Sequence, residues 1–268
     1  MVRSIGVLDS GIGGLTVVKE IVKSLPNENI IYLGDTARVP YGTRGKDVIT
    51  QFALEMVDFL LSKDVKFLVV ACNTISAVCL DKIIAVSPVP VLGVIDPTVD
   101  HALKTSKSKR IGVIGTRATI GSGIYETEIK QKDNKAQVVV ASCPLFVPIA
   151  EEGLGDHPGT RLIAKDYLSI FKDQDVDTLI LGCTHYPLLS NTIKEVLGEN
   201  ITLVDSAKPA AETLEVMLQE KGLLNNGSLS GKLEIHVTDA PQRVQIIAEQ
   251  FLGDPLPGGL KEVVLANL

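Results

Sequence analysis

No run of apolar residues in this chain approaches the roughly 18 that a membrane-crossing helix needs. A membrane is not an expected partner. Lys and Arg number 26 against 32 Asp and Glu, giving a net charge of -6, and the one basic cluster, Lys104 to Arg110, reads as an exposed turn. Nucleic acid is therefore not expected either. The start of the chain passes within a few residues into a Gly-rich turn, without the apolar stretch and cleavage site of a signal peptide, so a cytoplasmic address is expected. The four cysteines, Cys72, Cys79, Cys143 and Cys183, show no CxxC spacing. Neither a disulfide framework nor a zinc ribbon is written here, and in a reducing compartment they are thiols.

What is present is 268 residues, 45% of them apolar, enough for one large α/β core or two modest ones. Short runs rich in Val and Ile recur at Ile5 to Leu8, Ile30 to Leu33, Phe67 to Val70, Val89 to Ile95, Ile111 to Ile114, Val138 to Ala141, Thr178 to Leu181 and Ile201 to Val204. Continuous apolar strands of this kind imply parallel sheets covered on both faces. Between them, Thr43 to Ser62 places Val48, Phe52, Met56, Phe59 and Leu60 at helical spacing, and Leu15 to Leu25 does the same.

The two halves also resemble each other. Gly6-Val7-Leu8 returns as Gly112-Val113-Ile114, Val39-Pro40 as Val147-Pro148, Cys72 as Cys183, and Ile95-Asp96 as Val204-Asp205. Four landmarks in unchanged order predict a duplicated unit. The expected fold is α/β, with two pseudo-symmetric doubly wound lobes, mainly parallel sheets and a cleft between them. Residues 1–97 with 207–268 would form lobe one, and 98–206 lobe two. The tail beyond 207 reads as a helix at Ala210 to Lys221, a strand at Leu233 to Val237 and a helix at Val244 to Leu252, returning to the first lobe.

Cys72 and Cys183 each end a buried strand and precede hydrogen-bonding residues, Asn73-Thr74 and Thr184-His185. Ligands bind at the carboxyl ends of strands in open parallel sheets. Two lobes related by an approximate twofold axis would face these thiols towards each other across the cleft. That arrangement suits removing a proton from one face of a small carbon acid and returning one to the other. A free thiol has a pKa near 8.5, so a shift of about one or two units makes either form accessible. A helix N-terminus at each strand-to-helix turn is expected to favour the anion.

Cys79 and Cys143 lack polar followers and read as small buried hydrophobes. A metal site from Cys72, Cys183 and His185 has too few donors to be expected, so no metal is assigned. His185, two residues after a thiol, fits a proton relay as well as a structural histidine. Asp9-Ser10-Gly11-Ile12-Gly13-Gly14 follows the first strand and opens a helix, offering backbone N–H groups to an anion. Its spacing is not GxGxxG, and Asp9 would repel a phosphate, so a small zwitterion fits better than a nucleotide. Gly34-Asp35-Thr36 and Val39-Pro40-Tyr41-Gly42 lie at the same sheet edge, where ordinary turn chemistry is the competing explanation.

Four strings, LDSGIGGLTV (8 to 17), YLGDTARVPYG (32 to 42), ACNT (71 to 74) and LGCTHYPLL (181 to 189), together resemble the cofactor-independent aspartate/glutamate racemase superfamily, and glutamate racemases within it. The resemblance runs from residue 5 to about 206. It implies a two-lobed bacterial enzyme that interconverts L- and D-glutamate without a cofactor and supplies D-glutamate for peptidoglycan. Position by position, it implies Cys72 and Cys183 as the catalytic pair, with Cys72 acting on D-glutamate and Cys183 on L-glutamate. Asp9, Asp35, Glu151 and His185 resemble the auxiliary acids and bases, with Glu152 leaving one residue of ambiguity. Asp9, Ser10, Pro40, Tyr41, Gly42, Asn73, Thr74, Thr184 and His185 match substrate contacts, and Thr116 and Thr119 lie in a turn that lines such pockets. The family dimerises in different ways, so a homodimer is expected. Two alternatives stay open: a racemase for aspartate or hydantoins, and a non-catalytic amino-acid binding module.

Overall fold

A computed structural model describes residues 3–252 and 263–268, and places the apolar runs in two separate parallel sheets. The chain enters through β1 (Ile5–Asp9), α1 (Leu15–Ser24), β2 (Ile30–Gly34), α2 (Lys46–Ser62), β3 (Phe67–Val70), α3 (Asn73–Val86), β4 (Val91–Gly93) and α4 (Ile95–Thr105). It continues through β5 (Arg110–Gly115), α5 (Arg117–Gly121), α6 (Ile124–Lys132), β6 (Gln137–Ser142), α7 (Phe146–Glu151), α8 (Pro158–Tyr167), β7 (Thr178–Gly182), α9 (Ser190–Leu197) and β8 (Thr202–Val204). The tail adds α10 (Ala207–Glu220), β9 (Leu233–Val237), α11 (Pro241–Leu252) and β10 (Val263–Leu265).

The first sheet runs β10-β9-β2-β1-β3-β4 and the second β6-β5-β7-β8. Removing the two tail strands leaves the same order twice, with β1 and β5 at equivalent central places. Each is paired on both sides, Leu8 opposite Leu33 and Val70 in one sheet, Ile114 opposite Ala141 and Leu181 in the other. Central strands buried on both faces need apolar residues at every position, which is why these segments read as continuous runs. Each sheet is covered by two apolar clusters, one per face. The tail strand β9 pairs with β2 from Ile30–Leu233 to Gly34–Val237, and α10 sets Ala210, Leu214 and Leu218 into the cluster that holds Leu15, Val18 and Ile21 of α1.

Several boundaries move from their sequence positions. The run Val89 to Ile95 yields a strand of only three residues, since Pro90 lacks an N–H and Ile95 already opens α4. The helix expected from Thr43 starts at Lys46, after Gly45 in extended backbone. The tail helices begin earlier, at Ala207 and Pro241. One landmark of the repeat does not survive: Val39-Pro40 is a cis peptide in a turn, whereas Val147-Pro148 lies inside α7. Strand order, not that dipeptide, carries the duplication. Among the described residues, no helix is long and apolar enough to cross a membrane.

Candidate active site

The carboxyl ends of β1, β3, β5 and β7 open onto one cleft of about 480 Å³, lined from both lobes. Cys72 follows β3 and sits at the N-cap position of α3; Cys183 follows β7. Both sulfurs belong to this one cavity, with Ser10, Pro40, Tyr41, Gly42, Asn73, Thr74, Thr116, Glu151, Thr184 and His185 on its wall. Cys79 and Cys143 are buried elsewhere, in apolar clusters.

Each thiol has distinct company. The Cys72 thiol donates to Ser10 Oγ at 3.4 Å. Burial, and then the negative charge of Asp9, push its pKa up to about 12, against the pull of the Ser10 hydrogen bond. The anion-favouring effect expected at the start of α3 is therefore outweighed, and Cys72 rests as a protonated thiol. Cys183 is followed by a single 3₁₀ turn, Tyr186–Leu189, before α9, so the expected helix N-terminus is not at the sulfur. Its neighbour is His185, whose Nδ1 lies 3.9 Å from Sγ and whose Nε2 lies 3.1 Å from Glu151 Oε1. Burial alone would lower the His185 pKa, but the hydrogen bonds and charges of Cys183 and Glu151 overcome it and raise the value to about 10. His185 is thus a cation at neutral pH.

Glu151 and Glu152 stand in different places. Glu151 closes α7 on the cleft side, while Glu152 bonds Arg243 of α11 at 3.2 Å in an exposed pair. Glycine at position 13 lets the lobes meet here, because a Cβ at that place would come within 2.6 Å of the His185 ring. Thr16 Oγ1 reaches the Thr184 carbonyl at 3.3 Å across the same seam. A second seam is made of hydroxyls: Thr74, Thr116 and Thr119 form a triangle with sides of 3.0 to 3.1 Å. Thr116 also caps α5 by accepting from the Thr119 N–H.

Three residues of the anticipated site lie off the wall. Thr119 is buried behind Thr116 in that triangle. Asp9 is fully buried beneath the Gly-rich turn, accepting from Gly11 N at 3.0 Å, with burial raising its pKa; its second oxygen has no protein donor among the described residues. It acts on Cys72 and His185 through its charge. Asp35 is buried and fully engaged by Arg38 Nε at 2.6 Å, Thr238 Oγ1 at 2.8 Å and the Tyr41 hydroxyl. It anchors Tyr41 in the wall and is not exposed to the cleft as an acid or base would be. Val39 and Arg117, from the expected sheet-edge stretch and the Thr116 turn, join the wall, and Thr43, Pro144, Leu145, Val147 and Tyr167 line it with no sequence expectation of a site role attached to them. Pro144 and Leu145 follow β6 at a strand end, a position the topological rule marks in advance. Tyr167, at the end of α8, carries no such signal.

The family model for Asp/Glu/hydantoin racemases matches residues 5–214. The chain belongs to this racemase family. Among curated family members, it is 47% identical to a glutamate racemase of Geobacter metallireducens over 95% of this chain and 94% of that protein. It is 45% identical to one of Chlorobaculum parvum, over 94% of this chain and 93% of the other. Among solved structures of the racemase family, glutamate racemase RacE1 of Bacillus anthracis superposes with a TM-score of 0.93 at 41% identity, covering 99% of this chain and 98% of that one. A glutamate racemase of Francisella tularensis in complex with D-glutamate gives 0.90 at 38% identity, with the same coverage of 99% and 98%. As a racemase, the protein has its two cleft thiols on opposite lobes, with an acid behind one and a cation beside the other.

Proposed function

We propose that this racemase interconverts L- and D-glutamate by a two-thiol mechanism and supplies D-glutamate for peptidoglycan synthesis. The observation that carries the reading is the pair Cys72 and Cys183, brought from the equivalent strands of two duplicated lobes into one cleft. Similarity to glutamate racemases, one of them in complex with D-glutamate, supports the substrate.

Cys72 holds its proton in the resting protein. Turnover from that state uses Cys183 as the base that removes the Cα proton, and Cys72 as the acid that delivers one to the opposite face. The C–H bond electrons pass to the α-carbon and its carboxylate, then form the new C–H bond with the proton from Cys72. The enzyme is left with the two thiols' protonation exchanged, ready for the reverse reaction. By the family's assignment the first state takes L-glutamate and the second D-glutamate. The carbanion is the costly species, and donors set in advance against its carboxylate are the means available to stabilise it. Ser10, Asn73, Thr74 and Thr184 stand in the cleft for that purpose, and Arg117 lines the same wall. A homodimer belongs to the same reading, to be checked by light scattering in solution.

Turnover in D₂O tests the mechanism. Product should acquire deuterium at Cα while remaining substrate stays largely protonated early on. Equal early labelling of both pools would assign one shared base and overturn the two-thiol reading; no racemisation of glutamate would overturn the substrate.

A further inference from the structure

We propose that Tyr125 and Ser206 are positioning residues that lock the Asn73 carboxamide with its NH₂ group turned to the substrate's carboxylate, an inference that rests on the glutamate reading above. A primary amide presents an acceptor on one side and two donors on the other, and a half-turn exchanges them. Asn73 lines the cleft and is only 2% exposed. Its Oδ1 accepts from the Tyr125 hydroxyl at 2.6 Å and from Ser206 Oγ at 3.1 Å. Two donors use both lone pairs of that oxygen. Nδ2, by contrast, is buried with no acceptor among the described residues. An unpaired buried N–H is costly, and a carboxylate bound in the cleft that Asn73 lines would supply the missing acceptor.

Both hydroxyls serve this task, and they also lie within hydrogen-bonding reach of each other. Ser206 stands at the N-cap of α10, where serine ordinarily accepts from the helix's own N–H groups, yet it makes no such bond. The Asp205 carboxylate takes over, accepting from Ala207 N at 2.8 Å, and leaves the Ser206 hydroxyl for Asn73. Tyr125 of α6 is 2% exposed, and burial raises its pKa, so the phenol keeps the proton it donates. The ring fits because position 182 is glycine: a Cβ there would lie 3.1 Å from Tyr125 Cε2 and 2.8 Å from the Ile114 carbonyl. Asn73 opens α3 beside the first sheet, whereas Tyr125 packs in a cluster on the second, so the lock also ties the substrate's grip to the placement of the lobes.

Steady-state kinetics with each glutamate enantiomer, on Tyr125→Phe, Ser206→Ala, Ser206→Thr, Asn73→Ala and the corresponding doubles, tests the lock. Tyr125→Phe should raise KM roughly 3- to 10-fold with a smaller change in kcat, the size of one lost hydrogen bond. Ser206→Ala should do less, and Ser206→Thr, which keeps the hydroxyl, should restore the wild-type KM. In the Asn73→Ala background neither change should have further effect. An unaltered KM in Tyr125→Phe, or the same loss with and without Asn73, would overturn the inference and leave these residues a purely structural part. If Tyr125→Phe fails to fold by circular dichroism, the Ser206 alanine and threonine variants in the two Asn73 backgrounds decide by the same criterion. Wild-type protein inert towards glutamate would sink the substrate reading and this inference together; active wild type with unaffected variants sinks the lock alone.

Discussion

The two lobes repeat a strand order but do not repeat what surrounds their thiols. At the end of β1 the first lobe carries Asp9, where the paired position in β5 is Gly115. Two residues after its thiol the second lobe carries His185, where the first has Thr74. Burial, reinforced by the Asp9 carboxylate behind it, keeps the Cys72 thiol protonated, while beside Cys183 a histidine is kept cationic. Duplication supplies two sulfurs at one cleft; divergence at single positions then gives them different neighbours. An acid and a base drawn from the same residue type need that separation of environments.

The most severe test of the comparison removes either sulfur. Cys72→Ser and Cys183→Ser should each lower racemase activity by roughly 10³ or more, since a positioned acid or base contributes about 10² to 10⁴ and serine is a poor replacement. Both should keep thermal stabilisation by glutamate. A variant with unchanged activity removes its thiol from the chemistry and ends the two-sided scheme.

Next in size is the histidine. His185→Asn should lower kcat by about 10- to 100-fold. In the wild type, kcat/KM should fall as pH rises through about 10, where His185 loses its proton, and the variant should lack that limb. Stability carries the same signature with a defined sign. The pKa is raised from 6.5 to about 10 on folding, so the contribution is full below pH 6.5 and is lost as pH rises through about 10. The gap in urea midpoint between wild type and His185→Asn should narrow over that window. A gap that widens with pH would mean that the histidine is neutral in the fold.

Much of this architecture was legible in the residues, and the reason is locality. Strands buried on both faces must be apolar throughout, so β1, β2, β3 and β7 stand out as continuous runs, and the cysteines after β3 and β7 follow from strand order. The surroundings of Asp35 are not legible in this way, because what holds it is distant: Thr238, which donates to its carboxylate, lies 203 positions along the chain. No motif places those two side by side. The balance at Cys72 is likewise hidden, because a helix start can be read from sequence, whereas burial beside Asp9 cannot. Tyr125 carries no local signal, since its hydrogen-bond partner Asn73 is 52 positions away on another lobe.

The smallest expected effect separates the last residue of α7 from the one that follows it. Glu151→Gln removes a hydrogen-bonded charge that helps raise His185, so the high-pH limb of kcat/KM should move to lower pH, with activity reduced by up to about tenfold. Glu152→Gln, one residue on, breaks only an exposed pair with Arg243, both side chains being more than half solvent-accessible. Pairs of that kind contribute about 0 to 1 kcal/mol, and this one faces away from the thiols. Its variant should show wild-type kcat, KM and pH profile, with any change confined to a small shift in melting temperature. If Glu152→Gln altered the pH limb instead, the charge that sustains His185 would have to come through the α11 contact, and the division of labour along α7 would be redrawn.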